Sequence, residues 1–128
     1  MRTGFSLGLF LIAGIIFIVG GSGCRGEHQV GLASYYNSSL AGEKTASGEP
    51  YDPRDLTAAH RDLPFGTKVR VTNLQNDRSV LVRINDRGPA VKRRIIDLSL
   101  RAARGIHMLK DGVVRVKLEV VDKPADSG

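Results

Sequence analysis

The chain has no tryptophan and a single cysteine, and aromatic residues make up only 5% of its 128 positions. One cysteine cannot pair within the chain, so a disulfide scaffold is excluded. A core without tryptophan has few large anchors and must bury many Val, Ile and Leu side chains instead. The length allows one modest domain and excludes multi-domain enzymes. There is no CxxC, no HExxH and no second His at ligand spacing from His60; His28 and His107 sit in dissimilar contexts. No metal site and no cofactor are therefore expected. No Gly-rich phosphate loop opens a helix, and no G-x-S-x-G surrounds Ser47. No run of five basic residues occurs and aromatics do not cluster, which argues against a nucleic-acid partner.

The longest hydrophobic run lies at the start. Gly4 to Val19 is apolar apart from Ser6, follows Met1-Arg2, and leads into Gly20-Gly21-Ser22-Gly23-Cys24. A basic start, an apolar stretch and small residues form an export signal. The other reading is a permanent membrane anchor, for which the run is slightly short, since a crossing needs about 20 apolar residues. Gly-Ser-Gly-Cys resembles the bacterial lipoprotein signal, in which cleavage leaves the Cys first and acylated. Lipidation at Cys24 also accounts for the odd cysteine. The expected organisation is a signal peptide over 1–23, a tether over 24–29, a domain over 30–121 and a tail over 122–128. Cleavage before Cys24 leaves 105 residues and removes Arg2, so 18 basic face 13 acidic side chains, a formal +5. The densest basic cluster is Lys92-Arg93-Arg94. It fits either a solvated face or a polyanion site.

Within the domain, period-two alternation dominates. Val69 and Val71 alternate with Lys68, Arg70 and Thr72; Val80, Val82 and Ile84 alternate with Leu81, Arg83 and Asn85. These runs flank Leu74 to Arg78 and predict a hairpin. Val114 to Val120 alternates in the same way. Val30 to Tyr36 predicts a first strand, weakened by Gly31 and Ser34, and Ile95 to Leu98 a short one. Ser99 is placed to cap a short helix, Leu100 to Arg104, ended by Gly105. Leu56 to His60 is ambiguous between strand and helix, and Asn37 to Pro53 reads mostly as loop. Short strands, glycine-rich turns and one small helix predict a closed all-β barrel. Val71, Val82, Ile84, Ile96, Val116 and Leu118 are the expected core.

Four groups stand out chemically. Asp97 sits inside Ile-Ile-Asp-Leu, where alternation equally allows a solvent-facing carboxylate. Asp86 precedes Arg-Gly-Pro, which also suits a turn. His60 fits a satisfied core histidine as well as a functional one. Glu49 follows Thr45-Ala46-Ser47-Gly48.

Together the segments resemble one family: Gly31 to Tyr36 (GLASYY), Lys44 to Glu49 (KTASGE), Leu56 to Thr67 (LTAAHRDLPFGT), Val69 to Leu74 (VRVTNL), Arg83 to Pro89 (RINDRGP) and Arg94 to Ser99 (RIIDLS). Their order and spacing resemble the rare lipoprotein A (RlpA-like) family, from Val30 to Val121. The resemblance implies a six-stranded double-psi β-barrel, related to expansins, in a lipid-anchored protein of the bacterial envelope, at the outer membrane in Gram-negative hosts. It implies an endolytic lytic transglycosylase acting on peptidoglycan glycan strands, with Asp86, His60 and Glu49 catalytic. Asp97, Arg87, Tyr36, Thr45 and Ser47 are then expected to bind substrate. The SPOR domain that many members carry is not in this sequence. A monomer is expected. The chemistry requires one acid/base group, because the attacking C6 hydroxyl belongs to the substrate. Asp86 is the candidate, with Asp97 close by and His60 bonded to it or to sugar. Tyr35, Tyr36 and Tyr51 are candidates for contact with a sugar face. The alternatives are an expansin-like barrel that binds glycan without cutting it, and a structural lipoprotein with a vestigial groove.

Overall fold

The computed structural model describes residues 28–125. The expected signal peptide, Cys24, most of the expected tether and the last residues of the expected tail lie outside them. Six strands form a closed barrel: β1 (His28–Tyr35), β2 (Thr57–Ala59), β3 (Lys68–Asn73), β4 (Ser79–Asp86), β5 (Arg94–Leu98) and β6 (Val114–Asp122). Helix α1 (Leu100–Gly105) follows β5, and a single 3₁₀ turn, Ser38–Leu40, follows β1. Around the barrel the order is β1-β5-β2-β4-β3-β6, with β6 closing onto β1.

This order explains why the site has residues from distant segments. β1 runs parallel to β5, and β2 runs parallel to β4. Parallel neighbours need crossover connections. The β1–β2 connection must pass β5, and the β4–β5 connection must pass β2, so the two crossovers interlock. The hairpin read from alternation is β3–β4, with Val69 opposite Val82 and Val71 opposite Val80. Its turn is held by Asn73, whose Oδ1 accepts the Gln75 N–H and whose Nδ2 donates to Ile106 O. The ambiguous Leu56–His60 segment is a strand over Thr57–Ala59.

All six expected core residues are buried, joined by Ala33, Val69, Leu98, Ile106 and Met108. The two features that weakened the first strand have a packing cause. A Cβ on Gly31 would stand 2.8 Å from Ile95 Cγ2, so only glycine leaves room for the isoleucine. Ser34 is opposite Asp97 and donates its hydroxyl to it.

Ser99 caps α1 as expected: its Oγ accepts the Ala102 N–H at 3.2 Å and donates to Asp55 O at 2.6 Å. The helix end departs from expectation. Gly105 is the last helical residue, and the left-handed turn falls at His107, φ 55°. The cause is the burial of Ile106 and Met108, which draws the chain one turn further under the barrel before it reverses.

Candidate active site

The barrel register places two carboxylates in one row. Ala59 of β2 pairs with Asp97 of β5 on one side and with Asp86 of β4 on the other. Side chains of directly paired residues point to the same face, and two strand spacings put the two Cα atoms roughly 9–10 Å apart. Ala59 is the residue between them in the sheet. A register shift between Ala58 and Ala59, where Ile84 gives way to Asp86, turns Asp86 out of the core sequence of β4. Nothing in the local pattern of Val82, Ile84 and Asp86 announces that turn.

Asp86 is tightly held. Its Oδ1 accepts the N–H of Ala46 and the N–H of Arg87, both at 2.8 Å. Its Oδ2 accepts the Tyr36 hydroxyl at 2.5 Å. Burial pushes the Tyr36 phenol far above its usual range, and the adjacent Asp86 and then Asp97 push it the same way. Tyr36 is therefore a permanent O–H donor between the carboxylates. Its ring meets Tyr51 edge-on, with centroids 4.9 Å apart. Asp97 is 14% exposed and accepts from Ser34 Oγ at 2.5 Å and Arg94 Nε at 3.2 Å. Its outward direction agrees with alternation, but bonded neighbours and not bulk water receive its charge.

The segment from Thr45 to Glu49 is latched over the end of β4. Ser47 N–H donates to Asn85 O at 3.2 Å, and Ala46 N–H reaches Asp86. Glu49 fastens the latch: Oε1 accepts from Asn85 Nδ2 and Oε2 from Arg83, each at 2.9 Å. The Asn85 amide, followed by Arg83, holds the Glu49 carboxyl below its usual range. Thr45 and Ser47 share a hydroxyl contact at 2.9 Å, and Thr45 Oγ1 donates to Glu49 O at 2.8 Å. These two hydroxyls shape the latch from within.

His60 does not reach Asp86 with its ring. Nδ1 accepts the N–H groups of Asp62 and Leu63 at 3.1 and 3.2 Å. That leaves Nε2 to carry the proton, and it lies 3.1 Å from Gln29 Oε1. Only the backbone links the two residues, His60 N–H donating to Asp86 O at 3.1 Å. The reason is alternation: Ala59 takes the carboxylate face, so His60 turns to the other. There it lines a pocket of about 250 Å³ with Gln29, Leu63, Leu118 and Val120. Of the two expected roles for the His60 ring, the bond to Asp86 is thus not made and only a backbone bond joins the residues, while the Glu49 carboxylate is taken up by Arg83 and Asn85.

Burial lowers the His60 pKa from its ordinary 6.5, with the Arg61 and Arg87 charges acting the same way against Asp62. Well above pH 6.5 folded and unfolded chains both hold this imidazole neutral. Below it the unfolded chain takes up a proton that the folded chain resists, so stability falls as pH drops. Urea midpoints are expected to decrease between pH 7.5 and 5.5, and His60→Gln is expected to flatten that slope. An unchanged slope in the variant would assign the effect elsewhere.

Arg87 binds its own fold. Nη1 donates to Leu63 O at 2.9 Å and His60 O at 3.1 Å, and the guanidinium lies 4.0 Å from the Phe65 ring centroid. Tyr51 is only 3% exposed, and its hydroxyl accepts the Leu100 N–H at 3.0 Å, so it has no face to offer a sugar. Tyr35 is half-buried and donates to Leu109 O. Sequence reasoning did not single out Ser34, Asn85 or Arg61. The signal for the first was the small polar residue breaking an apolar strand. The other two had no local signal. Among the described residues no cluster of His, Cys, Asp and Glu is placed to hold a metal ion.

Fold and site together define a closed six-stranded barrel with interlocked crossovers and a paired-carboxylate face. The family model for lytic transglycolase matches residues 28–118, and the chain belongs to that family. A probable endolytic peptidoglycan transglycosylase RlpA of Nostoc sp. is 55% identical over 95 residues, covering 73% of this chain and 26% of that one. The endolytic peptidoglycan transglycosylase RlpA of Campylobacter jejuni is 52% identical over 96 residues, covering 75% and 35%. The chain thus spans about a quarter to a third of the length of these relatives. Among solved structures, a Streptomyces papain inhibitor superposes with a TM-score of 0.63 at 26% identity, covering 77% of this chain and 97% of that one.

Proposed function

We propose that this chain is an endolytic peptidoglycan lytic transglycosylase of the cell envelope. It cleaves the bond from MurNAc to GlcNAc and leaves 1,6-anhydro-MurNAc ends. The observation that carries the reading is the carboxylate pair, with Asp86 fixed by Ala46, Arg87 and Tyr36 beside Asp97. Such a reaction brings its own nucleophile, the C6 hydroxyl of MurNAc, so the barrier falls mainly through positioning and one proton shuttle. Asp86 is that shuttle: it gives a proton to the leaving oxygen and receives one from the C6 hydroxyl. Asp97 faces the positive charge that develops on the sugar ring.

Glu49 and His60, expected as catalytic, act in this reading as positioning residues. Glu49, kept ionised by Asn85 and Arg83, has no proton to donate and holds the latch whose Ala46 N–H reaches Asp86. His60 orders Asp62 and Leu63 and, through its backbone, the end of β4. Arg87, Thr45 and Ser47 shape the rim against which the strand lies. Tyr36 bonds Asp86 and borders the sugar.

Digestion of purified glycan strands with mass spectrometry tests this. Anhydro ends support it; new reducing ends would mean a hydrolase, and no cleavage a binder. We further propose that Cys24 is acylated after removal of 1–23 and anchors a monomeric barrel to a membrane. Cys24→Ala is expected to move the protein from the membrane to the soluble fraction; an unprocessed, membrane-integrated wild type would overturn the anchor.

A further inference from the structure

The connection from β4 to β5 carries the densest basic cluster of the chain, and its place in the fold gives that cluster a purpose. It leaves β4 at Asp86 and enters β5 at Arg94, three residues before Asp97. Because β2 lies between those strands, the connection crosses the end of β2 beside the row Asp86, Ala59, Asp97.

The connection is held rigidly. Arg61, directly after His60, donates from Nη1 to Pro89 O at 2.6 Å and from Nη2 to Arg94 O at 2.9 Å, with longer approaches of 3.4 Å to Val91 O and Lys92 O. Arg94 N–H closes the turn onto Val91 O at 3.1 Å. One guanidinium thus takes up carbonyls on both sides of Lys92-Arg93. Three nearby cations are engaged inside the protein: Arg61 on these carbonyls, Arg87 on Leu63 O and His60 O, and Arg94 on Asp97. Lys92 and Arg93 are exposed, and among the described residues neither side-chain charge has an ion-pair partner. Two adjacent like charges on a fixed turn repel each other and add nothing to the stability of the fold.

We propose that Lys92 and Arg93 form an anion subsite beside the carboxylate row, and that it takes the free lactyl carboxylate of MurNAc rings that carry no stem peptide. This rests on the reading of the protein as a peptidoglycan-acting enzyme. From residue 86 to residue 97 there are four basic and two acidic side chains. The two acids face the reacting bond and would repel an anionic polymer. Lys92 and Arg93 offset that repulsion with charges unspent within the protein. A neutral glycan gains nothing from them. The lactyl acid is attached to the ring, so its distance from the scissile bond is fixed, which matches a turn whose backbone is fixed by Arg61 beside the carboxylate row. A stem-peptide carboxylate lies further out on a flexible chain.

The test is a binding measurement, independent of turnover, on the intact protein. The probes are peptide-free glycan strands, the same strands with lactyl carboxylates converted to methyl amides, and strands that retain stem peptides. Wild type is expected to bind the free-acid strands roughly tenfold more tightly than the amidated ones, the size of two exposed ion pairs. Raising the salt should erase the difference. Lys92→Gln with Arg93→Gln is expected to bind both strand types as wild type binds the amidated one, with an unchanged circular dichroism spectrum. Equal wild-type affinity for acid and amide, or discrimination that survives in the double variant, would overturn the subsite. A preference that appears only with stem peptides would overturn the assignment to the lactyl acid. The enzyme reading fails separately, by absence of anhydro ends while charge discrimination persists.

Discussion

Asp86→Asn is expected to leave the barrel folded and to lower formation of anhydro ends by about 10²–10⁴-fold, the range carried by a positioned acid/base group. The amide is nearly isosteric with the acid. Its oxygen can still accept from the N–H groups of Ala46 and Arg87, and its NH₂ can face the Tyr36 oxygen in place of Asp86 Oδ2. The latch and the end of β4 therefore keep their ties. What disappears is a site that can both release and take up a proton. Quantifying anhydro-muropeptides over time, alongside a melting curve, separates the two effects. A variant that melts like wild type and cleaves like wild type would refute Asp86 as the shuttle. A variant that unfolds would show that the three donors serve the fold first.

Ile84→Ala is expected to produce the largest loss of stability, about 2–5 kcal/mol, the usual cost of deleting a buried isoleucine side chain. Ile84 is 0% exposed and pairs with Ala58 of β2. Its carbonyl accepts the Gly66 N–H, and its N–H donates to Thr67 O, so its surroundings are fixed on several sides and cannot collapse into the void. For a domain of this size each kcal/mol lowers the melting temperature by roughly 4–8 °C. Urea denaturation measures the loss directly. Because Asp86 lies two residues further along β4, activity per folded molecule is expected to hold at low temperature and to vanish at a lower temperature than in wild type. A loss below about 1 kcal/mol would mean that the core around Ile84 repacks.

The strands and their inward faces were legible because alternation is a local property. Val69 and Val71, Val82 and Ile84, and Val114 to Val120 each state which face is buried without reference to any other strand. Ser99 likewise announced its helix, because a cap acts within three residues. The chemistry-bearing groups were legible as residue types and as a family pattern. Their partners were not. Alternation says which face a side chain takes, but its neighbour across the sheet depends on pairing between segments far apart in the chain.

By itself, then, the sequence determined an all-β domain, its core, its short helix and the small set of residues from which a site is made. The tertiary structure decided what those residues do to one another. Only the order β1-β5-β2-β4 sets Asp97 and Asp86 on either side of Ala59 and brings the Tyr36 hydroxyl to Asp86. Only the register at Ala59 sends the His60 ring toward Gln29 and away from both carboxylates. Only the crossing of β2 by the β4–β5 connection lets Arg61 clamp the turn that presents Lys92 and Arg93. The physical reason is the same in each case. A hydrogen bond or ion pair acts over a few ångströms, and in a barrel with interlocked crossovers the groups within that reach come from segments that the linear pattern does not connect.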